Sequence, residues 1–193
     1  MRRSVCERCS RPQSHCLCPL IPSLDSRTRV LILQHPDERA HALNTARLAA
    51  LGLRNAELRI AERVEEVLDD GATWLLFPAE HAVPLSSLAA LPGPQRLVVP
   101  DGTWRKARRL LHLNPGLSAL PRVSLGAGLV SRYRVRKVPG EGALSTIEAI
   151  VAALNALEGE GRFDELLRPF DALIEGQIAA MGEATYRRNH LRE

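Results

Sequence analysis

Short apolar, β-branched runs alternate along this chain with longer stretches in which apolar positions recur at helical spacing. Arg29-Val30-Leu31-Ile32-Leu33-Gln34 is apolar without alternation, the pattern of a strand buried on both faces. Thr73 to Phe77, ending at Pro78, Arg96 to Pro100, and Arg122 to Leu125 read the same way, and Glu57 to Ile60 forms a shorter run. Between them, Glu38 to Leu51 predicts a helix with Ala42, Leu43, Ala46, Leu48, Ala49 and Ala50 on its apolar faces and Gly52 as its C′ residue. Glu62 to Leu68 predicts a brief helix closed by Asp70-Gly71, and Arg105 to Leu111 a helix with a cationic face. Leu144 to Leu157 predicts a long helix. Its start, Ser145-Thr146-Ile147-Glu148, has the form of a capping box. Phe163 to Arg187 is a second helical region, broken or restarted at Pro169. Strands that alternate with helices predict an α/β fold with a mainly parallel sheet.

All four cysteines precede this pattern, within thirteen residues: Cys6-x2-Cys9-x6-Cys16-x-Cys18. Four thiolates so close can surround one tetrahedral zinc ion, with His15 as an alternative fourth ligand. A redox or iron–sulfur role is the other reading. The segment is too short for a core of its own, so a metal would supply its folding energy. Pro19 and Pro22 mark the linker that follows. The organisation expected is a metal knuckle over 1–24 and one catalytic domain over 25–193.

Charge changes the picture in one window. The chain carries a net +4, yet no Asp or Glu lies between Gly102 and Gly140. That window holds Arg105, Lys106, Arg108, Arg109, Arg122, Arg132, Arg134, Arg136 and Lys137, and both lysines of the protein are among them. The other 17 Lys and Arg face 22 Asp and Glu. An acid-free basic tract predicts a polyanion partner, phosphates first. No apolar run reaches membrane-spanning length and no signal-peptide core is present, so a cytoplasmic protein is expected.

Three polar clusters sit where a strand or loop feeds a helix. They are His35-Pro36-Asp37-Glu38 with Asn44-Thr45-Ala46-Arg47, then Asp101-Gly102-Thr103-Trp104, then Leu144-Ser145-Thr146-Ile147-Glu148-Ala149. In open α/β sheets such junctions converge on one edge of the sheet, the usual ligand position. Each also has a structural explanation: capping for Ser145 and Glu148, a turn for His35, a cap for Asp101 and core packing for Trp104. No Walker loop, Gly-x-Gly-x-x-Gly, Gly-x-Ser-x-Gly or His-Glu-x-x-His occurs, which disfavours ATP hydrolysis, nicotinamide chemistry and metalloproteolysis. Aromatic residues are scarce, leaving Trp104 and Tyr133 as candidates for stacking on a base.

These segments, in this order, resemble the DTW-domain proteins, the tRNA-uridine aminocarboxypropyltransferases. The resemblance rests on Cys6-x2-Cys9-x-Arg11-Pro12-x3-Cys16-x-Cys18 with Ile21-Pro22, and on His35-Pro36-x-Glu38 with Asn44-Thr45-Ala46-Arg47-Leu48. It continues through Asp101-Gly102-Thr103-Trp104-x2-Ala107-Arg108, Tyr133-x-Val135-Arg136-Lys137 and Leu144-Ser145-Thr146-x-Glu148-Ala149. It implies a SPOUT-like α/β fold, with a C-terminal trefoil knot as one expectation. It implies S-adenosylmethionine as donor, whose 3-amino-3-carboxypropyl group passes to N3 of a uridine in tRNA with release of methylthioadenosine.

On that resemblance Asp101 accepts the N3 proton, or else holds the donor's amino group or steadies its sulfonium, and Trp104 packs against the donor. Thr45, Leu120, Tyr133, Leu144, Ser145 and Thr146 line the donor's loops, and the helix start at Ser145 suits its carboxylate. Arg105, Arg108, Arg109, Arg132, Arg134, Arg136 and Lys137 face the RNA, while Cys6, Cys9, Cys16 and Cys18 hold structural zinc. Two rivals share features with this reading: a SPOUT-type RNA methyltransferase and a non-catalytic zinc-containing RNA-binding module. A DNA-binding regulator lacks a helix-turn-helix pattern. No membrane partner is expected, and the resemblance fixes no oligomeric state.

Overall fold

A computed structural model describes residues 4–64, 72–92, 95–135 and 143–190. Its centre is a six-stranded sheet, every pair parallel, in the order β2-β1-β5-β3-β6-β4. The strands are β1 (Arg29–Gln34), β2 (Ala56–Ile60), β3 (Thr73–Leu76), β4 (Val83–Pro84), β5 (Arg96–Asp101) and β6 (Arg122–Ser124). β1 and β5 pair over their full lengths, from Arg29 opposite Arg96 to Gln34 opposite Asp101. Their ends therefore lie level, and two side chains chosen far apart in sequence meet there.

The non-alternating apolar pattern of β1 and β5 has the reason expected of it. Successive side chains leave a strand on opposite faces, and here both faces are covered. Val30, Ile32, Leu97 and Val99 join a core with α1 (Ala46–Gly52), α4 (Thr146–Glu158) and α5 (Arg168–Met181). Leu31, Leu33, Leu75 and Val98 join a second core with α2 (Trp104–Leu113) and α3 (Pro115–Ala119). The result is a helix–sheet–helix sandwich. Cys9, Leu17 and Ile21 of the N-terminal segment belong to the first core, so the knuckle is packed against the domain.

Several elements differ from the sequence reading. The helix expected from Glu38 begins only at Ala46. Backbone carbonyls ahead of it are taken by side chains: the Asn44 amide donates to Glu38 O, and Arg11 donates to Ala42 O and Asn44 O. Such local bonds compete with helix formation. At Pro169 the region restarts, as expected: the 3-10 turn Asp164–Leu167 gives way to α5, and Pro169 stands in its first turn, where its missing N–H is harmless. A further break falls at Gly182, whose φ of 80° ends α5 before α6 (Glu183–His190). β4, the 3-10 turn Leu85–Ala90 and α3 carry no periodic signal and were not anticipated. The brief helix expected over Glu62 to Leu68 lies largely outside the described residues, and the expected knot depends on a path through 136–142, also outside them. Among the described residues no helix is long and apolar enough to cross a membrane.

Gly52 is not a C′ residue with left-handed backbone. It is the last residue of α1, and a Cβ there would collide with Leu166 Cδ1, a fully buried side chain. Close approach of α1 to 166, with Ile21 and Pro22 flanking, is what requires glycine. Gly52→Ala is expected to destabilise the fold by about 1–3 kcal/mol, the usual cost of overpacking. Thermal or urea denaturation checks this. An unchanged midpoint would show that Leu166 moves aside freely.

Candidate functional site

At the C-terminal ends of β3, β5 and β6 the sheet opens into a cleft of about 1110 Å³. It lies at the C-terminal ends of parallel strands, the end of an open α/β sheet at which ligands bind. Phe77, Gly102 and Trp104 form one wall, residues 124–131 and Tyr133 another, and Ala143 to Thr146 the third. The volume suits a nucleoside-sized ligand.

The start of α4 is built for the cleft. Glu148 is buried and completes the capping box: its carboxylate accepts from Ser145 N at 2.8 Å, and its own N–H donates to the Ser145 hydroxyl. It also accepts from Arg132 N at 2.6 Å and from the Ser131 hydroxyl. One buried carboxylate thus ties the loop carrying Tyr133 to the helix start opposite it. Each of these partners is a donor, so the buried carboxylate oxygens are hydrogen-bonded. With Ser145 N and Glu148 N engaged, the first-turn N–H groups of Thr146 and Ile147 remain without intrahelical acceptors. Tyr133 is buried with its ring 5.6 Å from that of Phe170.

Asp101 ends β5 and is 8% exposed. It is not among the residues that line the cleft. Its Oδ2 accepts from Gln34 Nε2 at 2.7 Å, and its Oδ1 accepts from the Thr146 hydroxyl. Thr146 does line the cleft. Gln34, fully buried, was not singled out in the sequence; its place level with Asp101 comes from strand register, which only the fold supplies. Its amide oxygen accepts from Asn44 Nδ2 at 3.4 Å.

Gly102 follows with φ 151°, a backbone that L side chains rarely adopt, and a Cβ would meet Lys106 Cβ at 3.0 Å. Trp104 is 43% exposed and meets Phe77 edge-on, ring centroids 5.6 Å apart. Leu144, Ser145, Thr146, Tyr133 and Trp104 are therefore brought together around one cleft. Leu120 is not: it is buried in the core beneath α2 and α3. Thr45 is buried at the start of α1 and lies away from the lining.

The basic tract is less bare than its sequence. Lys106 pairs with Glu38 at 2.8 Å and Asp37 at 3.7 Å, and the Glu38 carboxylate raises its pKa. Arg109 pairs with Glu62 at 3.3 Å, and that carboxylate also meets His35 Nε2 at 3.0 Å. Arg132 pairs with Asp171 at 3.2 Å, and Arg134 with Glu175. The missing acids come from other parts of the chain. Arg105 and Arg108 stay exposed on α2 and form no ion pair among the described residues. Arg136 and Lys137 lie outside the described residues.

Away from the cleft, the sulfurs of Cys6, Cys9, Cys16 and Cys18 all lie within 4.8 Å of one another. Cys6 and Cys18 are 3.6 Å apart, Cys9 and Cys16 3.8 Å. Zinc–sulfur bonds of about 2.3 Å in a tetrahedron require sulfurs about 3.8 Å apart, so the set fits one ion. As bare thiols they titrate far apart. Backbone N–H groups of Cys9 and Arg8 hold Cys6 down to about 6, while burial and the other thiols push Cys18 up to about 12. A dication removes that conflict. Ser10 takes a left-handed backbone, φ 57°, to turn the first pair, and its N–H bonds Cys6 O. His15 is not part of the cluster. Arg11 joins the knuckle to the 42–44 backbone; burial lowers its pKa.

A family model described as "DTW domain" matches residues 3–178. A Drosophila melanogaster protein named tRNA-uridine aminocarboxypropyltransferase 2 is 34% identical, covering 92% of this chain and 76% of its own length. Proteins of the same name from Macaca fascicularis and Mus musculus are 33% and 36% identical; the matches cover 98% and 92% of this chain, and 69% and 64% of theirs. No solved structure matches. The match runs from the cysteine cluster through every segment that lines the cleft, and the chain belongs to the DTW domain family.

Proposed function

We propose that this protein transfers the 3-amino-3-carboxypropyl group of S-adenosylmethionine to N3 of a uridine in tRNA, releasing methylthioadenosine. One observation carries the reading: relatives matched over most of both chains are named tRNA-uridine aminocarboxypropyltransferases. The donor's sulfonium makes each neighbouring carbon electrophilic, and the protein's task is to choose which carbon meets the base. Positioning suffices for that choice, because reacting atoms held about 3–3.5 Å apart and in line gain heavily over a loose encounter.

Ser145, Leu144 and Tyr133 are proposed to hold the donor together with the backbone of Thr146, its carboxylate toward the first-turn N–H groups of Thr146 and Ile147, which a change of the Thr146 side chain leaves in place. Trp104 offers an exposed aromatic face at the cleft rim for adenosine or the uracil. Asp101 is the proposed basic group. Arg105 and Arg108 lead the proposed tRNA contacts, with Arg109, Arg132, Arg134, Arg136 and Lys137 of the same sequence tract. The cysteine set is proposed to hold structural zinc: four ligands would close its shell and leave no position for substrate. Residues 1–24 act as this knuckle and 25–193 as the catalytic domain. A tRNA substrate and unpaired cysteines fit a cytoplasmic setting.

Incubating the purified protein with S-adenosylmethionine and unmodified tRNA tests the reading. Mass spectrometry is expected to find methylthioadenosine and an aminocarboxypropyl uridine. S-adenosylhomocysteine and a methylated nucleoside would establish the methyltransferase instead. Elemental analysis is expected to find one zinc per chain. Chelating it should lower Tm by several degrees, since metal binding is folding energy for so small a segment. A metal-free protein of unchanged Tm would contradict a structural zinc.

A further inference from the structure

The basic group proposed above is set back from the cleft. Asp101 has its carboxylate occupied on both oxygens, by Gln34 Nε2 at 2.7 Å and by the Thr146 hydroxyl, and it does not line the opening. Gln34 cannot reverse its amide freely, because its oxygen accepts from Asn44 Nδ2. Gln34 therefore presents an N–H to Asp101 Oδ2, and that oxygen accepts. The Thr146 hydroxyl has one proton and directs it at that carboxylate. Toward the cleft it has only lone pairs to offer.

We infer that Thr146 is a catalytic residue: its hydroxyl, an obligate acceptor toward the cleft, takes the uracil N3 proton and passes its own to Asp101. This rests on the aminocarboxypropyl reading. The N3 proton moves to Thr146 Oγ1 while the Thr146 proton moves to Asp101 Oδ1. The N3 electron pair forms the bond to the terminal methylene of the aminocarboxypropyl arm. The methylene–sulfur bond breaks, and its pair stays on sulfur as a neutral thioether. Asp101 ends as a carboxylic acid and returns its proton to water after release.

The same arrangement selects the base. Uracil offers an N–H at position 3, whereas cytosine offers a lone pair there. Two acceptors facing each other leave a buried polar atom unmatched, the situation that gives strong discrimination. Thr146 thus deepens the proposed activity by naming the group that reads the imide.

The test compares wild type, Thr146→Ser and Thr146→Val, each first checked for Tm and for S-adenosylmethionine affinity by calorimetry without tRNA. Single-turnover transfer to tRNA is then followed across pH at saturating donor. Thr146→Val is expected to bind donor within about twofold of wild type and to react at least about 100-fold more slowly near neutrality, the typical size of a lost proton transfer. Its rate should climb with pH into the alkaline range, where the imide ionises unaided. Thr146→Ser, which keeps the hydroxyl, should retain most of the wild-type rate. Three results would overturn the inference: Thr146→Val reacting at wild-type speed, its loss matched by weaker donor binding, or a loss that alkaline pH does not relieve. A wild-type enzyme that yields no methylthioadenosine with tRNA would instead sink the underlying reading, and the two failures are distinct.

Discussion

The bonds made by one carboxylate, Asp101, join three elements that the chain supplies far apart. β5 delivers it, Gln34 at the end of β1 fixes one oxygen, and Thr146 at the start of α4 fixes the other. Level strand ends make the first bond possible, since Gln34 and Asp101 share a register position. The second brings α4 against the strand end and sets one wall of the cleft. Burial sharpens both contacts: a carboxylate at 8% exposure without donors would cost several kcal/mol, so the surrounding donors are a condition of the fold.

A second buried acid works in the same way one turn along. Glu148 caps its own helix and holds the backbone at Arg132, so the loop bearing Tyr133 closes on the cleft. The knuckle contributes from the opposite side. Arg11 grips the carbonyls of Ala42 and Asn44, and the Asn44 amide in turn reaches Gln34. A polar chain therefore runs from the cysteine cluster to the Asp101 carboxylate. It gives the four-cysteine cluster, away from the cleft, a physical connection to it.

Legibility in the sequence followed locality. The strands β1 and β5 were readable because continuous apolar runs report two-sided burial directly. The Ser145–Glu148 box was readable because both of its bonds span three residues. The cysteine cluster was readable from spacing alone. Other features depend on partners that no local pattern contains. Gly52 is explained by Leu166, the late start of α1 by Arg11 and Asn44, and the role of Gln34 by strand register. The basic tract shows the same limit: its window is acid-free, but Glu38, Glu62, Asp171 and Glu175 return to it in space. Leu120 resembled a cleft residue and is a core residue, because the chain after α3 turns it under the sheet.

The central claim is that the carboxylate closing β5 receives the substrate's proton. Single-turnover transfer by Asp101→Asn, at saturating donor and tRNA, tests it most directly, because the amide keeps the size of the side chain and loses the base. The account predicts a rate lower by about 10²–10⁴-fold with Tm and donor affinity retained. Transfer at the wild-type rate would contradict it.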